Sequence, residues 1–555
     1  MFNRIGLPDD PAVVKPLRLM LVPALLWWLA LAAGQLLIKP TLYPDPAPGL
    51  LAALQNTQGI STSPRDAVVS HLAHGGQLRT TRLTWWPPSY QFLPWLFMKF
   101  LSLDIGDAVA LTVRLCLLAG LCGWGLYFAK ILGPLPALLA AALLSTWRFF
   151  HHNLFFYDGG ELLLFTAAPW VLLLIGGAVH NGRATDLALA GAGCAALFAL
   201  KYSALALSVS FSIAAGLCIL LQKKRHTLAR CALLIGTCVG ALVLGWLTLA
   251  AGGPTPASFG QRHGWNAMQV LWHWLSWPLN LGDLDALSRR LLFNDDSTEA
   301  DLLKLALPGA VALLAIVPLV PSLVQNSSAA NPARRFYLLA GVISLLLTLL
   351  LVSVVGMLGG ALSWEARYYR IPVLMLFPFL LGALAGNLAS RSARRIAASL
   401  PLIGILTVSS TYGVTVLLHK TTSQLTDARF PNTLWHGLSL PILDRSTPIT
   451  EVINNIHQHL EKNPSHVLVV GDARLALPFA DRPLAVWHDT LLPSVPPSAD
   501  APATTPVILI NTLARRARPT LADLQAHPTW EPANTIPITD HWLLVHLRPR
   551  PLPPP

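Results

Sequence analysis

Polar positions in this chain are repeatedly interrupted by long apolar runs. About eleven can be read, at 17–38, 111–132, 134–150, 162–179, 186–200, 203–221, 231–251, 302–323, 336–358, 371–388 and 397–418. A helix needs roughly 20 mostly apolar residues to cross about 30 Å of hydrocarbon, and most of the runs approach that length. Runs 134–150 and 186–200 are shorter and suit buried or tilted helices. Proline inside several runs is compatible with spanning, because neighbouring helices satisfy the carbonyls it frees. The pattern predicts a polytopic α-helical membrane domain over 1–419 with large loops at 39–110 and 252–301, and a separate domain over 420–555.

The periodicity changes in the tail. Ile449, Val452, Ile453, Ile456 and Leu460 share one face of a helix over Pro448–Asn463. Segments 466–470, 507–510 and 542–546 read as strands, with Gly471-Asp472 as a turn after the first. About 136 residues are enough for a small α/β domain. The proline-rich end, Pro549 to Pro555, reads as a loose terminus. Far upstream, the aromatic run 92–101 is too short to span and predicts a helix lying in the membrane interface.

Composition agrees with the pattern. Of 555 residues 54% are apolar and 12% charged, about half the charged share of a soluble domain. With a mean hydropathy of +0.54, this excludes a purely soluble, fibrous or disordered chain. The net charge of +12 points to nucleic acid only if it is spread over one soluble surface. Alternating the runs from a cytoplasmic N-terminus, after Arg4, Lys15 and Arg18, puts 14 of the 39 basic but only 3 of the 27 acidic residues on the cytoplasmic side. The excess is therefore an orientation signal, and no nucleic-acid partner is expected. Both large loops and the tail then face the opposite side. The first run reads as an uncleaved anchor, being too long for a signal peptide. All six cysteines fall inside runs and are expected as packing residues, without disulfides. The chain has no Walker loop, dinucleotide fingerprint, cysteine metal cluster or convincing internal repeat.

The remaining charges on the outer side are few and grouped. Asp45 follows the first run in Tyr43-Pro44-Asp45-Pro46, and Pro87-Pro88 precedes the interfacial helix after Trp85-Trp86. Asp158 and Glu161 stand three residues apart between the third and fourth runs. Ionisable groups at the hydrocarbon edge are costly and tend to mark sites, although Asp158 also suits a plain helix cap. Lys201, Arg367 and Arg370, with Tyr368 between the arginines, break the charge bias on the outer side. They read either as snorkelling anchors or as cations holding a phosphate through charge-assisted hydrogen bonds. His71 and His74 have an i, i+3 spacing that fits one helix face, but without a third ligand no metal site is read there. His151-His152 are expected at the surface or membrane interface.

The order of these features resembles the GT-C superfamily of integral-membrane glycosyltransferases, and most closely its family-39-like members of the protein-mannosyltransferase and aminoarabinose-transferase type. The resemblance runs over nearly the whole chain: Asp45 after the first span, the Pro87-Pro88 pair, Arg114, Asp158, Lys201-Tyr202 and Arg367-Tyr368-Tyr369. It implies sugar transfer from a polyprenyl-phosphate donor to a lipid, glycan or protein acceptor on the periplasmic face of a bacterial inner membrane. By the resemblance Asp45 is the catalytic residue, Asp158 the second acidic position, and Lys201 and Arg367 approach the donor phosphate. Glu161, Tyr368 and Arg370 are expected as further substrate-binding residues. A divalent ion at the acidic residues stays open as a cofactor. In one departure Pro46 stands where the family usually has Glu after the Asp, which leaves Asp66 as a fallback in the same loop. The alternatives are a lipid or sugar transporter or flippase, and an inactive relative serving as an assembly protein.

Overall fold

The structure is a computed structural model. It describes residues 11–71, 77–83, 87, 89–222, 226–250, 267–285, 287–288, 306–321, 332–358, 366–390, 392–440, 445–482, 484–486, 505–512, 520–527 and 530–550. Among these, eight helices are long and apolar enough to cross a membrane, and three shorter apolar helices accompany them. Each of the eleven runs corresponds to one of these helices. The chain is a polytopic α-helical membrane protein with a small C-terminal α/β domain.

α1 (Pro11–Leu37) leads through β1 (Thr41–Leu42) into α2 (Ala47–Thr57), the hairpin β2–β3 (Asp66–His71, Gln77–Arg82) and α3 (Ser89–Leu101). α4 (Ile105–Leu132) and α5 (Pro134–Thr146) follow. The run read as 134–150 breaks at Trp147, whose extended backbone starts the short α6 (Arg148–Phe155). β4 (Phe156–Tyr157) then leads into α7 (Gly160–Asn181), α8 (Ala184–Leu200), α9 (Leu205–Leu221) and α10 (Thr227–Gly245). α11 (Ala267–Ser276), α12 (Ala306–Ile316), α13 (Pro332–Met357), α14 (Arg370–Leu388) and α15 (Ala393–Thr426) complete the helical part. Leucines such as Leu26, Leu118, Leu217 and Leu350 are exposed on the outside of this bundle. In water that would be a liability; against acyl chains it is the required surface.

Two early expectations are corrected here. His151 is fully buried, edge-on to Trp27 and with Nε2 3.1 Å from the Thr146 carbonyl. His152 stacks on Phe156 with ring centroids 4.9 Å apart. α6 is therefore packed inward, with Phe149 and Phe150 edge-on to Phe165 of α7. His71 ends strand β2 instead of lying on a helix, so the i, i+3 argument fails there; His74 lies outside the described residues.

The extramembrane part is tied to the bundle by a small four-stranded sheet in the order β4-β1-β6-β5. Here β5 (Leu434–Trp435) and β6 (Leu438–Ser439) come from the segment just after α15, and β1 runs parallel to both β4 and β6. The close approach needs Gly106, where a Cβ would overlap the backbone of His436–Leu438.

Beyond it, β7 (His466–Val470), β8 (Leu484–Val486), β9 (Thr505–Asn511), β10 (Trp530–Pro537) and β11 (Trp542–Pro549) form a five-stranded sheet in the order β10-β11-β9-β7-β8. α16 (Ile449–Lys462) buries the five apolar residues read from the sequence. It covers the sheet face carrying Leu468, Val507 and Leu544. Val467, Ile508 and Val545 point to the opposite face, where α17 (Leu521–Ala526) contributes Leu524. Alternating faces of one sheet thus fill two apolar layers.

Candidate active site

Asp45 owes its place to β1. The strand pairs with β4 in the register Thr41↔Phe156 and Leu42↔Tyr157, and the amide of Tyr43 donates to the Tyr157 carbonyl at 3.1 Å. Two loops more than a hundred residues apart in sequence are thereby fixed side by side, Asp45 leaving one strand and Asp158 the other. Pro46 is the N-cap of α2, with φ −80° and ψ −11°. A residue with fixed helical φ and no N–H suits that position, so the departure from the family pattern has a local structural role. The Asp45 carboxyl stands just ahead of a helix N-terminus, where negative charge is favoured.

Asp45 lines a narrow cleft, with room for about one water molecule, together with Pro46, Gly49, Leu83, Tyr90 and Gln91. The Tyr90 ring lies across Gly159 and Gly160, and a Cβ on either glycine would run into it. Gly159 also has φ +73°, which a residue with a side chain adopts only at a cost. The hydroxyl of Tyr157 donates to the Tyr90 carbonyl. Ser89 Oγ, at the start of α3, donates to the Leu200 carbonyl at 3.2 Å. That bond brings the end of α8, and so Lys201, to the site.

Glu161, in the first turn of α7, is 7% exposed and Lys201 is 9% exposed. The Lys201 ammonium donates to Glu161 Oε1, and Arg367 Nε lies 3.9 Å from the same oxygen. Arg370 sits over the Phe149 ring at 4.2 Å, and Arg367 over Tyr368 at 5.9 Å. These charges act on one another's proton affinities. Burial pushes the Asp158 carboxyl up to about 7, with Glu161 and Asp45 adding to the rise and Lys201 and Arg367 opposing it. Burial likewise raises the Tyr90 hydroxyl well above its ordinary value, reinforced by Glu161, Asp158 and Asp45. Asp45, Asp158, Glu161, Lys201 and Arg367 therefore form one electrostatic cluster around Tyr90.

Arg370 and Tyr368 adjoin that cluster: Arg370 acts on Glu161, and Tyr368 lies edge-on to the buried His273 at 6.1 Å. Pro87 is buried just ahead of α3, and Pro88 lies outside the described residues. Asp66 stands in β2 opposite Arg82, apart from the charges that act on Asp158. Arg114 lies in the first half of α4.

Several residues at the site carry little signal in the sequence. Tyr90 follows Pro87-Pro88-Ser89 directly and is one aromatic among many there. Lys420 stands over the Phe156 ring at 4.4 Å, in the C-terminal part of α15. It breaks the charge bias as Lys201 does, and that signal would have found it. Asp283 is buried with φ +58°, and its Oδ2 has no hydrogen-bond partner. Burial raises its carboxyl, while Arg370 and Arg148 pull it back.

The C-terminal domain reaches the same place. Arg474 chelates Asp472, with Nε 2.9 Å from Oδ1, and extends Nη1 to within 3.5 Å of the Leu42 carbonyl on β1. Gln55 of α2 donates to the Ala480 carbonyl at 3.1 Å.

No family model matches the sequence, and no curated protein matches it. Solved structures do. ArnT from Cupriavidus metallidurans bound to undecaprenyl phosphate superposes with a TM-score of 0.52 at 14% identity, over 95% of this chain and 97% of that one. The apo state of the same protein gives 0.50 at 13% identity, over 96% and 98%. The chain shares the fold of these structures over nearly its whole length.

Proposed function

We propose that this chain is an inverting glycosyltransferase, moving a sugar from a polyprenyl-phosphate donor to a lipid, glycan or protein acceptor at the periplasmic face of a bacterial inner membrane. The observation that carries the reading is the convergence, at helix ends on one side of the bundle, of the carboxylates Asp45, Asp158 and Glu161 with the buried Lys201 and with Arg367 and Arg370. The fold adds support, since the ArnT structure that it matches was determined with undecaprenyl phosphate bound. A transport pathway would be expected to place paired charges near the middle of the bundle. Here Glu161 opens α7, Lys201 follows α8, and Arg367 and Arg370 stand at the start of α14.

In the proposed step the acceptor hydroxyl oxygen attacks the anomeric carbon as Asp45 takes its proton. The bond from that carbon to the phosphate oxygen breaks, and its electron pair leaves with the lipid phosphate. One displacement from the opposite face inverts the configuration. Arg367 and Arg370 meet the charge that builds on the phosphate, and Lys201, anchored by Glu161, adds positive potential behind them. Asp158 orients the acceptor beside Asp45. Asp45 and Asp158 are the carboxylates that a divalent ion would meet; no step above requires one.

The test is transfer by the purified protein supplied with radiolabelled polyprenyl-phosphate sugars and a membrane extract as acceptor. Transfer or donor hydrolysis is expected. Asp45→Asn is expected to lower the rate by about 10²–10⁴ while donor binding persists. Full transfer by that variant sinks Asp45 as the base, and donor binding without any turnover by the parent protein sinks the enzyme reading.

A further inference from the structure

The three histidines gathered on the C-terminal domain come from separate elements. His459 is on α16, His466 opens β7 and His546 is on β11. In the sheet β9 lies between β7 and β11; Val507 of β9 pairs with both His546 and Leu468. His466 and His546 therefore flank β9 on the face that α16 covers, and His459 comes down from the helix to meet them. One ring nitrogen from each histidine lies within 4.8 Å of the others. His459 Nε2 and His466 Nδ1 are 3.2 Å apart.

We infer that His459, His466 and His546 form a binding site for a divalent late transition-metal ion, Zn²⁺ foremost, which clips α16 to the sheet. Tetrahedral Zn²⁺ with bonds of about 2.0–2.1 Å separates its ligand nitrogens by about 3.3 Å. The His459–His466 distance already matches one edge of that tetrahedron. The rings of His466 and His546 stand at 85° with centroids 4.8 Å apart, and those of His459 and His546 at 75° and 5.8 Å. The remaining nitrogen separations are at most 4.8 Å, and side-chain rotation closes them to the tetrahedral edge.

Hydrogen bonding alone accounts for the cluster less well. One neutral imidazole donating to another satisfies His459 and His466, but His546 Nε2 is covered and has no hydrogen-bond partner. A metal ion gives all three rings a partner. Lys462, one turn along α16, is exposed and its charge is carried in water. Imidazole suits Zn²⁺, Cu²⁺ and Ni²⁺ far better than Mg²⁺ or Ca²⁺. Three protein ligands leave a fourth position for water, consistent with the half-buried setting of all three residues.

The experiment uses the full-length protein purified in detergent with a histidine-free tag and stripped with a chelator. Zn²⁺ is titrated by calorimetry, Co²⁺ by its visible absorption, and thermal unfolding is followed with and without Zn²⁺. One equivalent of tight binding is expected, with a tetrahedral Co²⁺ spectrum and a Tm that rises with Zn²⁺. His459→Gln and His546→Gln are each expected to lose that equivalent, or to weaken it at least tenfold, and to lose the Tm response. His459 is on the outer helix, so its variant tests the site even if His546→Gln fails to fold. A stripped parent protein that takes up no Zn²⁺ in the titration, or a His459→Gln variant that binds as the parent does, overturns the site. These readouts are independent of sugar transfer, so the site and the enzymatic reading fail separately.

Discussion

Neutralising Glu161 is the sharpest test of how the charged cluster is held together. Glu161 and Lys201 are 7% and 9% exposed and directly bonded, and Arg367 is the next cation, 3.9 Å from the same oxygen. In Glu161→Gln the lysine keeps its burial but loses its counter-charge, and the first turn of α7 loses the anion that its dipole favours. Breaking a buried pair from one side costs about 3–5 kcal/mol, and the dipole contribution adds up to about 1 kcal/mol. Lys201→Met is expected to cost a similar amount, because it strands Glu161 with only the more distant arginine. Removing both charges leaves neither stranded, so the double variant should recover about 2 kcal/mol or more relative to the sum of the singles. The measurement is a double-mutant cycle by equilibrium unfolding in mixed micelles of detergent and SDS. If the two effects add within about 0.5 kcal/mol, the ion pair does not organise this corner of the site and the reasoning fails.

The remaining predictions concern protonation and packing. Asp158 titrates near 7 in the fold but near 4 in an unfolded chain. It therefore favours the folded state at low pH, and that stability is lost as pH rises from about 4 to 7. Asp158→Asn should remove this dependence, so its Tm relative to the parent climbs between pH 5 and 8; a constant difference across that range refutes the shift. In the transfer assay the same variant should lose any inflection near pH 7 in kcat/KM. Gly413 on α15 packs where a Cβ would overlap the Thr146 carbonyl, a backbone atom that cannot swing away. Gly413→Ala should cost about 1–3 kcal/mol, seen as a lower Tm and a lower yield of monodisperse protein, whereas Gly404→Ala on the same helix, with open space around it, should behave as the parent.

Much of the architecture was legible because the membrane makes it local. A helix in lipid must be apolar over its whole length, so each run shows itself without reference to its neighbours. The helix over Pro448–Asn463 was legible for a related reason, its five inward residues repeating within one segment. Charge scarcity did the same for chemistry: Asp45, Asp158, Glu161, Lys201, Arg367 and Arg370 stood out against an apolar background.

What the chain order could not reveal was pairing. Thr41–Leu42 beside Phe156–Tyr157, Glu161 against Lys201, Arg474 reaching β1 and three histidines meeting across α16 and the sheet are all contacts between distant segments. Two-residue strands are too short to show a period, and a lysine carries no mark of which carboxylate it will meet. The sequence by itself determined that this is a membrane protein with its notable charges at one end. Tertiary structure decided which of those charges lie together, because that depends on helices packing in three dimensions and on loops returning to the same strand.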